Sequence, residues 1–310
     1  MGMVKSDGII LKVIEYSETS NIVTVWTREF GKLSLIAKGA RRPKSPFESA
    51  LDLLAFCRLV FLQKPNQSMG ILTEAKLERR FRNRRGRLEW LYAGYYVAEL
   101  LKSFIEEGEP NPWLFDLTDQ TLRDLDQPVR RASGADLSVR EEVTELNRYL
   151  MRFESGLLTT LGHFPMLTHC VGCGRKRETD AAVGFAISAG GIVCPQCRNR
   201  QSQVIDLTDQ EVQALLNLKE MIDQSVQDGV EQIVPTDRTS SGHSVAEADR
   251  LNEPGVEYPL SAGGVDLSDY RQCQSIRRLL NDYLNQMAGR ELRMNPFLKQ
   301  LLLSNNSLRV

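Results

Sequence analysis

Six cysteines occur in the 310-residue chain, and four of them fall into two pairs, Cys170-x-x-Cys173 and Cys194-x-x-Cys197, with 20 residues between the pairs. This spacing suits a four-thiolate zinc site, in which two tight turns each supply two sulfur ligands at about 2.3 Å from the metal. Gly172, Gly174 and Pro195 are the residue types such turns need. With all four positions taken by thiolates, none is left for a reacting water, so the expected Zn2+ is structural. A redox dithiol would need one pair opening a helix and would leave the other unexplained. A zinc deaminase needs His-x-Glu beside Pro-Cys-x-x-Cys, but Pro195 lies inside its pair and none of His163, His169 and His243 is followed by x-Glu. His169 adjoins Cys170 and is not expected to compete with four thiolates. Cys57 and Cys273 are expected to be core thiols.

A second group of residues could bind a polyanion. The segment GKLSLIAKGARRPKS, residues 31–45, runs from a strand-like alternation of Leu33, Leu35 and Ala37 into a basic loop. Lys32, Lys38, Arg41, Arg42 and Lys44 are the candidate phosphate contacts, on a loop stiffened by Pro43 and Pro46. Arg79, Arg80, Arg82, Arg84, Arg85 and Arg87 follow in nine positions. The first five of these make a candidate second stripe, against the plainer reading of a solvated linker face. Tyr16, Trp26 and Phe30 are candidates for base stacking, although aromatics in small barrels more often fill the core.

Other chemistries find no support. There is no Gly-x-x-x-x-Gly-Lys-Ser/Thr phosphate loop, no Gly-x-Ser-x-Gly nucleophile turn and no evident acidic trio for a nuclease metal, and three histidines offer little for acid–base work. The expected protein is not an enzyme. The rival readings are a protein-interaction scaffold with an incidental basic barrel, or a metal-dependent nuclease.

The elements that must position these residues can be read from periodicity. Short alternating runs at Ile9–Ile14, Asn21–Thr27, Lys32–Lys38, Phe56–Leu62 and Met69–Leu77 predict five strands, the profile of a small Greek-key barrel of the oligonucleotide-binding (OB) kind. From Leu88 the period becomes helical, with a predicted stripe through Leu88, Leu91, Tyr92, Tyr95, Val97, Leu100, Leu101 and Phe104. Asn111-Pro112 predicts a helix start, and Ser138 with Glu141 and Thr208 with Glu211 predict capping boxes. A last helix is expected through Ile276, Leu279, Leu280, Tyr283, Leu284 and Met287, ending near Gly289. The fold class expected is α+β: an OB-fold β-barrel over 1–80, a helical bundle over 81–165 and 203–310, and a four-cysteine zinc finger inserted at 166–202. Residues 236–266, rich in Ser, Gly, Asp and Glu, predict a mobile insertion.

Composition is that of a soluble globular protein, 42 % hydrophobic and 25 % charged. The net charge of −1 conceals a division: residues 1–90 carry 17 Lys/Arg against 9 Asp/Glu, and the remainder carries 22 against 31. A polyanion partner for the first domain follows from that division. No apolar run approaches the roughly 20 residues that span a bilayer, and no signal peptide is evident, so a cytoplasmic protein is expected. The Met1-Gly2 and Ser6 match to an N-myristoylation pattern is read as chance.

The segments GIILKVIEYSETSNIVTVWTREFGKLSLIAKGARRPKS, YYVAELL, EPNPWLFDL, LGHFPMLTHCVGCGR, CPQC and SIRRLLNDYLNQMAGRELR together resemble the bacterial RecO family of recombination and repair proteins. The resemblance implies binding to single- and double-stranded DNA, annealing of complementary strands, and contact with the C-terminal tail of single-stranded-DNA-binding protein. It also implies a complex with RecR that helps load RecA, no catalytic turnover, and association with the nucleoid during repair. Residues 236–266 depart from the family pattern.

Overall fold

The computed structural model describes residues 2–47, 50–63, 69–83, 86–127, 137–178, 183–233 and 270–299. The expected insertion at 236–266 lies outside them, as do Arg84, Arg85 and His243. Among the described residues the elements in chain order are β1 (Gly2–Glu15), β2 (Asn21–Thr27), β3 (Gly31–Ala37), β4 (Phe56–Gln63), β5 (Gly70–Arg79), α1 (Leu88–Phe104), α2 (Pro112–Asp126), α3 (Val139–Thr160), β6 (Val183–Ala186), β7 (Gly191–Val193), α4 (Pro195–Arg198), β8 (Val204–Leu207), α5 (Asp209–Ile233) and α6 (Tyr270–Ala288).

The first five strands close into a barrel in the order β1-β2-β3-β5-β4, with β3 and β5 parallel and the other neighbours antiparallel. Alternation drives it: Leu33, Leu35 and Ala37 are buried, while Lys32, Ser34 and Ile36 between them are only partly covered. Closure depends on β1, which starts seven residues earlier than its apolar pattern predicts. Its polar first half pairs with β4, its second half with β2, and a register shift between Ile10 and Lys12 bends it between the two. Gly2 to Gly8 lack alternating apolar residues, so backbone pairing alone reveals them as strand.

Around the middle of β1 both faces are covered. Ile10 points into the barrel with Val25, Leu35, Leu59 and Phe61, whereas Ile9, Leu11 and Trp26 join the core of the helices. Trp26 is fully buried there, which removes it from the stacking candidates.

The helix starts follow their predicted caps. The Asn111 side chain accepts from the Leu114 N–H at 2.8 Å, and reciprocal capping bonds join Ser138 to Glu141 and Thr208 to Glu211. At the centre of the bundle α3 touches α1, α2, α5 and α6. On α1 the buried face differs from the predicted stripe. Trp90, Ala93, Tyr96, Val97 and Leu100 are buried, and Leu88 is 52 % exposed. The reason is that Glu89 and Glu99 are also buried, paired with Arg87 and Arg290, so charge does not mark the wet side of this helix.

The barrel is fastened to the helices at its β2–β3 end. Arg28 donates two hydrogen bonds of 2.9 Å to the Asp116 carboxylate, Gly108 N–H donates to the Lys32 carbonyl at 2.9 Å, and Ser34 Oγ donates to Glu107 at 2.8 Å. Gly31 lies at the closest approach. Its φ is +69°, and a Cβ there would stand 2.2 Å from the Glu109 carbonyl oxygen, whereas Gly39 (φ +75°) has nothing closer than 3.7 Å. Gly39→Ala should therefore cost only backbone strain, about 1–3 kcal/mol, and Gly31→Ala should cost distinctly more. Urea unfolding of the two variants gives the comparison, and equal costs would mean that the contact with Glu109 is not tight.

Candidate metal centre and nucleic-acid interface

The two cysteine turns meet in front of a small sheet of order β7-β6-β8. Its third strand, Val204–Leu207, lies past the boundary expected at residue 202. Cys170 N–H donates to the Arg175 carbonyl and Gly174 N–H to the Cys170 carbonyl, both at 2.8 Å, which folds the first turn tightly. In the second turn Cys194 caps α4, Pro195 occupies its first position, and the Cys194 N–H donates to Cys170 Sγ at 3.3 Å. The four sulfur atoms lie within 4.8 Å of one another. A tetrahedron of Zn–S bonds of about 2.3 Å sets its sulfurs about 3.8 Å apart, and Cys173 Sγ to Cys194 Sγ measures 3.8 Å. That is far too long for a disulfide at about 2.05 Å.

Two further observations fit a metal. A Cβ on Gly172 would lie 2.9 Å from Cys197 Cβ and 3.0 Å from its sulfur, so only glycine lets the turns close on each other. The thiols also cannot ionise together unaided. Burial resists ionisation of Cys170, but backbone N–H groups of Cys194, Gly172 and Cys173 outweigh it and bring the pKa down to about 6. Hydrogen bonding with Cys194, then burial and the other thiols, pushes Cys197 up to about 12. A divalent cation removes that mutual opposition. His169 turns away, its Nδ1 3.0 Å from Thr168 Oγ1. The unit is anchored to the bundle by Phe185 edge-on to Tyr283, centroids 6.0 Å apart, and by Arg177 Nη1 to Asp209 at 2.5 Å.

At the opposite end of the barrel from the β2–β3 fastening, the loop after β3 lies against the β1–β2 turn. Arg41 N–H donates to the Thr19 carbonyl at 3.1 Å, and its guanidinium reaches the Ser17 carbonyl at 2.9 Å and Glu15 at 3.0 Å. The Glu15 side chain is mostly solvated, so this pair is weak and its main effect is to orient the loop. Lys38, Arg42 and Lys44 are exposed on the same rim, with Lys44 in the left-handed backbone region at φ 61°. Tyr16, 58 % exposed, stands in the turn beside them. Phe30 lies at the other end, its ring edge-on to Phe61.

Comparison with known proteins bears directly on this arrangement. Residues 1–81 match the family model described as "Recombination protein O N terminal", and residues 85–226 match "Recombination protein O C terminal". The chain is 34 % identical to a "DNA repair protein RecO" of Rhodopirellula baltica over 95 % of its own length and 98 % of that protein's. It belongs to the RecO family. Proteins of the same description from Halalkalibacterium halodurans and Listeria monocytogenes are 32 % and 30 % identical, over 68 % and 69 % of this chain and 75 % and 76 % of theirs.

In this RecO-family chain the other candidate cations among the described residues are not gathered at the rim. Lys32 bonds with its ammonium to the Lys102 carbonyl at 3.2 Å and to the Ile105 carbonyl, capping the C-terminus of α1. Arg79 ends β5, pairs with Asp119 and lies over the Phe56 ring at 5.7 Å. Arg80 pairs with Asp52 at 3.3 Å, and Arg82 offers its backbone N–H to Asp126 at 3.0 Å. Arg87 reaches Glu142 at 2.5 Å. Arg79, Arg87 and the Arg82 backbone therefore join barrel to bundle through carboxylates, whereas Arg80 pairs within the barrel unit. Those partners lie 28 to 55 residues away in sequence, so local reading could not have found them. No helix among the described residues is long and apolar enough to cross a membrane.

Proposed function

We propose that the chain is a recombination mediator without turnover of its own: it binds single- and double-stranded DNA, anneals complementary strands and, with RecR, helps load RecA in recombinational repair. The observation that carries this reading is the rim, where Lys38, Arg42 and Lys44 stand exposed beside the exposed ring of Tyr16. Two polyanionic strands repel until cations screen them, and backbone contacts that read no sequence let bases search for register. The five-stranded order with β3 parallel to β5 supports an OB-type barrel. Zn2+ on Cys170, Cys173, Cys194 and Cys197 would be structural, holding the finger against the bundle. Family membership supports work in DNA repair, in the cytoplasm and at the nucleoid, with RecR and the tail of single-stranded-DNA-binding protein as partners. Functional units at 1–80, 81–165 with 203–310, and 166–202 follow the same reading.

Labelled complementary oligonucleotides, mixed without ATP and with or without Mg2+, test it. Annealing is expected; inertness favours a scaffold, and cleavage favours a nuclease. Arg42→Gln with Lys44→Gln should weaken all DNA substrates about equally and make the salt slope on single strands shallower by about 1.4. A loss confined to one sequence would contradict backbone binding.

A further inference from the structure

Where the barrel meets the bundle, cations from three distant parts of the sequence come together. Arg290, just past α6, donates from Nη1 to Glu99 at 3.2 Å and from Nη2 to Ser103 Oγ at 3.0 Å. The backbone N–H groups of Arg293 and Met294 donate to the two oxygens of the same carboxylate at 2.8 and 2.9 Å. These bonds lay residues 290–294 along the last turns of α1, beside Lys102. The barrel contributes Lys12, on the outward face of β1. It is paired with Thr24, which is paired with Ser34 against the α1–α2 connection. Lys12, Lys102, Arg290 and Arg293 are all exposed.

The charges act on one another. Burial lowers the Lys102 pKa; Glu99 opposes that, while Lys12, Arg293 and Arg290 add to it. Glu99 is already engaged by two N–H groups and Arg290, and among the described residues no ion pair joins Lys12, Lys102 or Arg293 to a carboxylate. Gathering like charges costs Coulombic energy that a bound polyanion would remove. Lys12 is also three residues before Glu15, about 10 Å along β1 from the turn that bears Tyr16.

We propose that Lys12, Lys102, Arg290 and Arg293 form a second phosphate-binding site, which carries a single DNA strand from the barrel rim onto the helical bundle. It is a positive stripe separate from the arginine run, and it rests on the rim's being a DNA contact. A strand long enough to cross from rim to junction engages both; one held by the rim alone does not.

The test is fluorescence anisotropy over a range of salt with a long oligonucleotide, about 30 nucleotides, and a short one, about 8, within the span of a single barrel. Lys12→Gln, Lys102→Gln and Arg293→Gln are combined, leaving Arg290 to hold Glu99. The salt slope on the long strand should become shallower by about 2 and its affinity fall about tenfold or more. The short strand should change less than about twofold, and the melting temperature without DNA should stay level or rise. A folded triple variant with the parent's slope and affinity on the long strand overturns the proposal, including the case in which the junction serves an acidic polypeptide. The Arg42→Gln, Lys44→Gln variant separates the two readings: if parent protein binds and only the rim variant loses affinity, the junction alone fails. If the parent binds neither strand, the DNA reading fails with it.

Discussion

Replacing Cys194 by Ser is expected to take bound zinc from about one ion per chain to a trace and to lower the melting temperature of the whole protein. Cys194 both supplies a sulfur and caps α4, and its N–H is one of the bonds that lower the Cys170 pKa. A serine hydroxyl keeps the turn's shape but is a poor ligand beside three thiolates. Structural zinc contributes about 10–16 kcal/mol of apparent binding free energy in isolated fingers, so its loss exceeds anything a single packing change can do. Here the finger packs on the bundle through Phe185 and Tyr283, which share one core with the helices. The destabilisation should therefore spread beyond residues 166–207. A chelator should lower the melting temperature of the parent towards that of the variant and leave the variant unmoved. Unchanged zinc content by elemental analysis in the variant would refute the four-cysteine site.

What sequence made legible was whatever is encoded locally. The Cys-x-x-Cys spacing named four residues that do converge, because each pair needs only its own turn and the two turns need only one small sheet. Strand alternation in β2 and β3 and the caps at Asn111, Ser138 and Thr208 were readable for the same reason. Illegible were pairings over long separations. Arg79 looks like a free cation until Asp119, 40 residues on, is known to sit beside it. Lys32 falls in a basic segment, yet its ammonium is spent on carbonyls at the end of α1. The first half of β1 has no apolar signal because its place is set by hydrogen bonds to β4. Lys12, Lys102 and Arg293 are unremarkable in sequence, since only closure of the barrel and the return of the chain after α6 put them in one place.

Arg277→Met should cost about 1–2 kcal/mol more at pH 8 than at pH 5.5, because it removes the charge that lets a buried carboxyl ionise. Glu154 on α3 is fully buried; it accepts from Tyr96 of α1 at 2.5 Å and pairs with Arg277 of α6 at 3.0 Å, and Arg277 lies over the Tyr96 ring at 5.0 Å. Burial pushes Glu154 up to about 7, with Arg277 and then Tyr96 opposing it. Because the folded carboxyl holds its proton more tightly than an unfolded one at 4.5, the stability it contributes is complete below about 4.5 and is lost as pH rises through about 7. Removing Arg277 takes away the leading opposing charge, so the carboxyl should stay protonated to still higher pH. The variant's deficit in urea unfolding should thus be small at pH 5.5, where Glu154 can avoid ionising, and larger at pH 8. Adding Glu154→Gln should recover most of the loss at pH 8 and flatten the pH dependence, since the amide still offers an acceptor to Tyr96 without a charge to bury. A deficit equal at both pH values, or a double variant no better than Arg277→Met alone, would mean that Arg277 acts through packing and that its charge is of no consequence to the bundle.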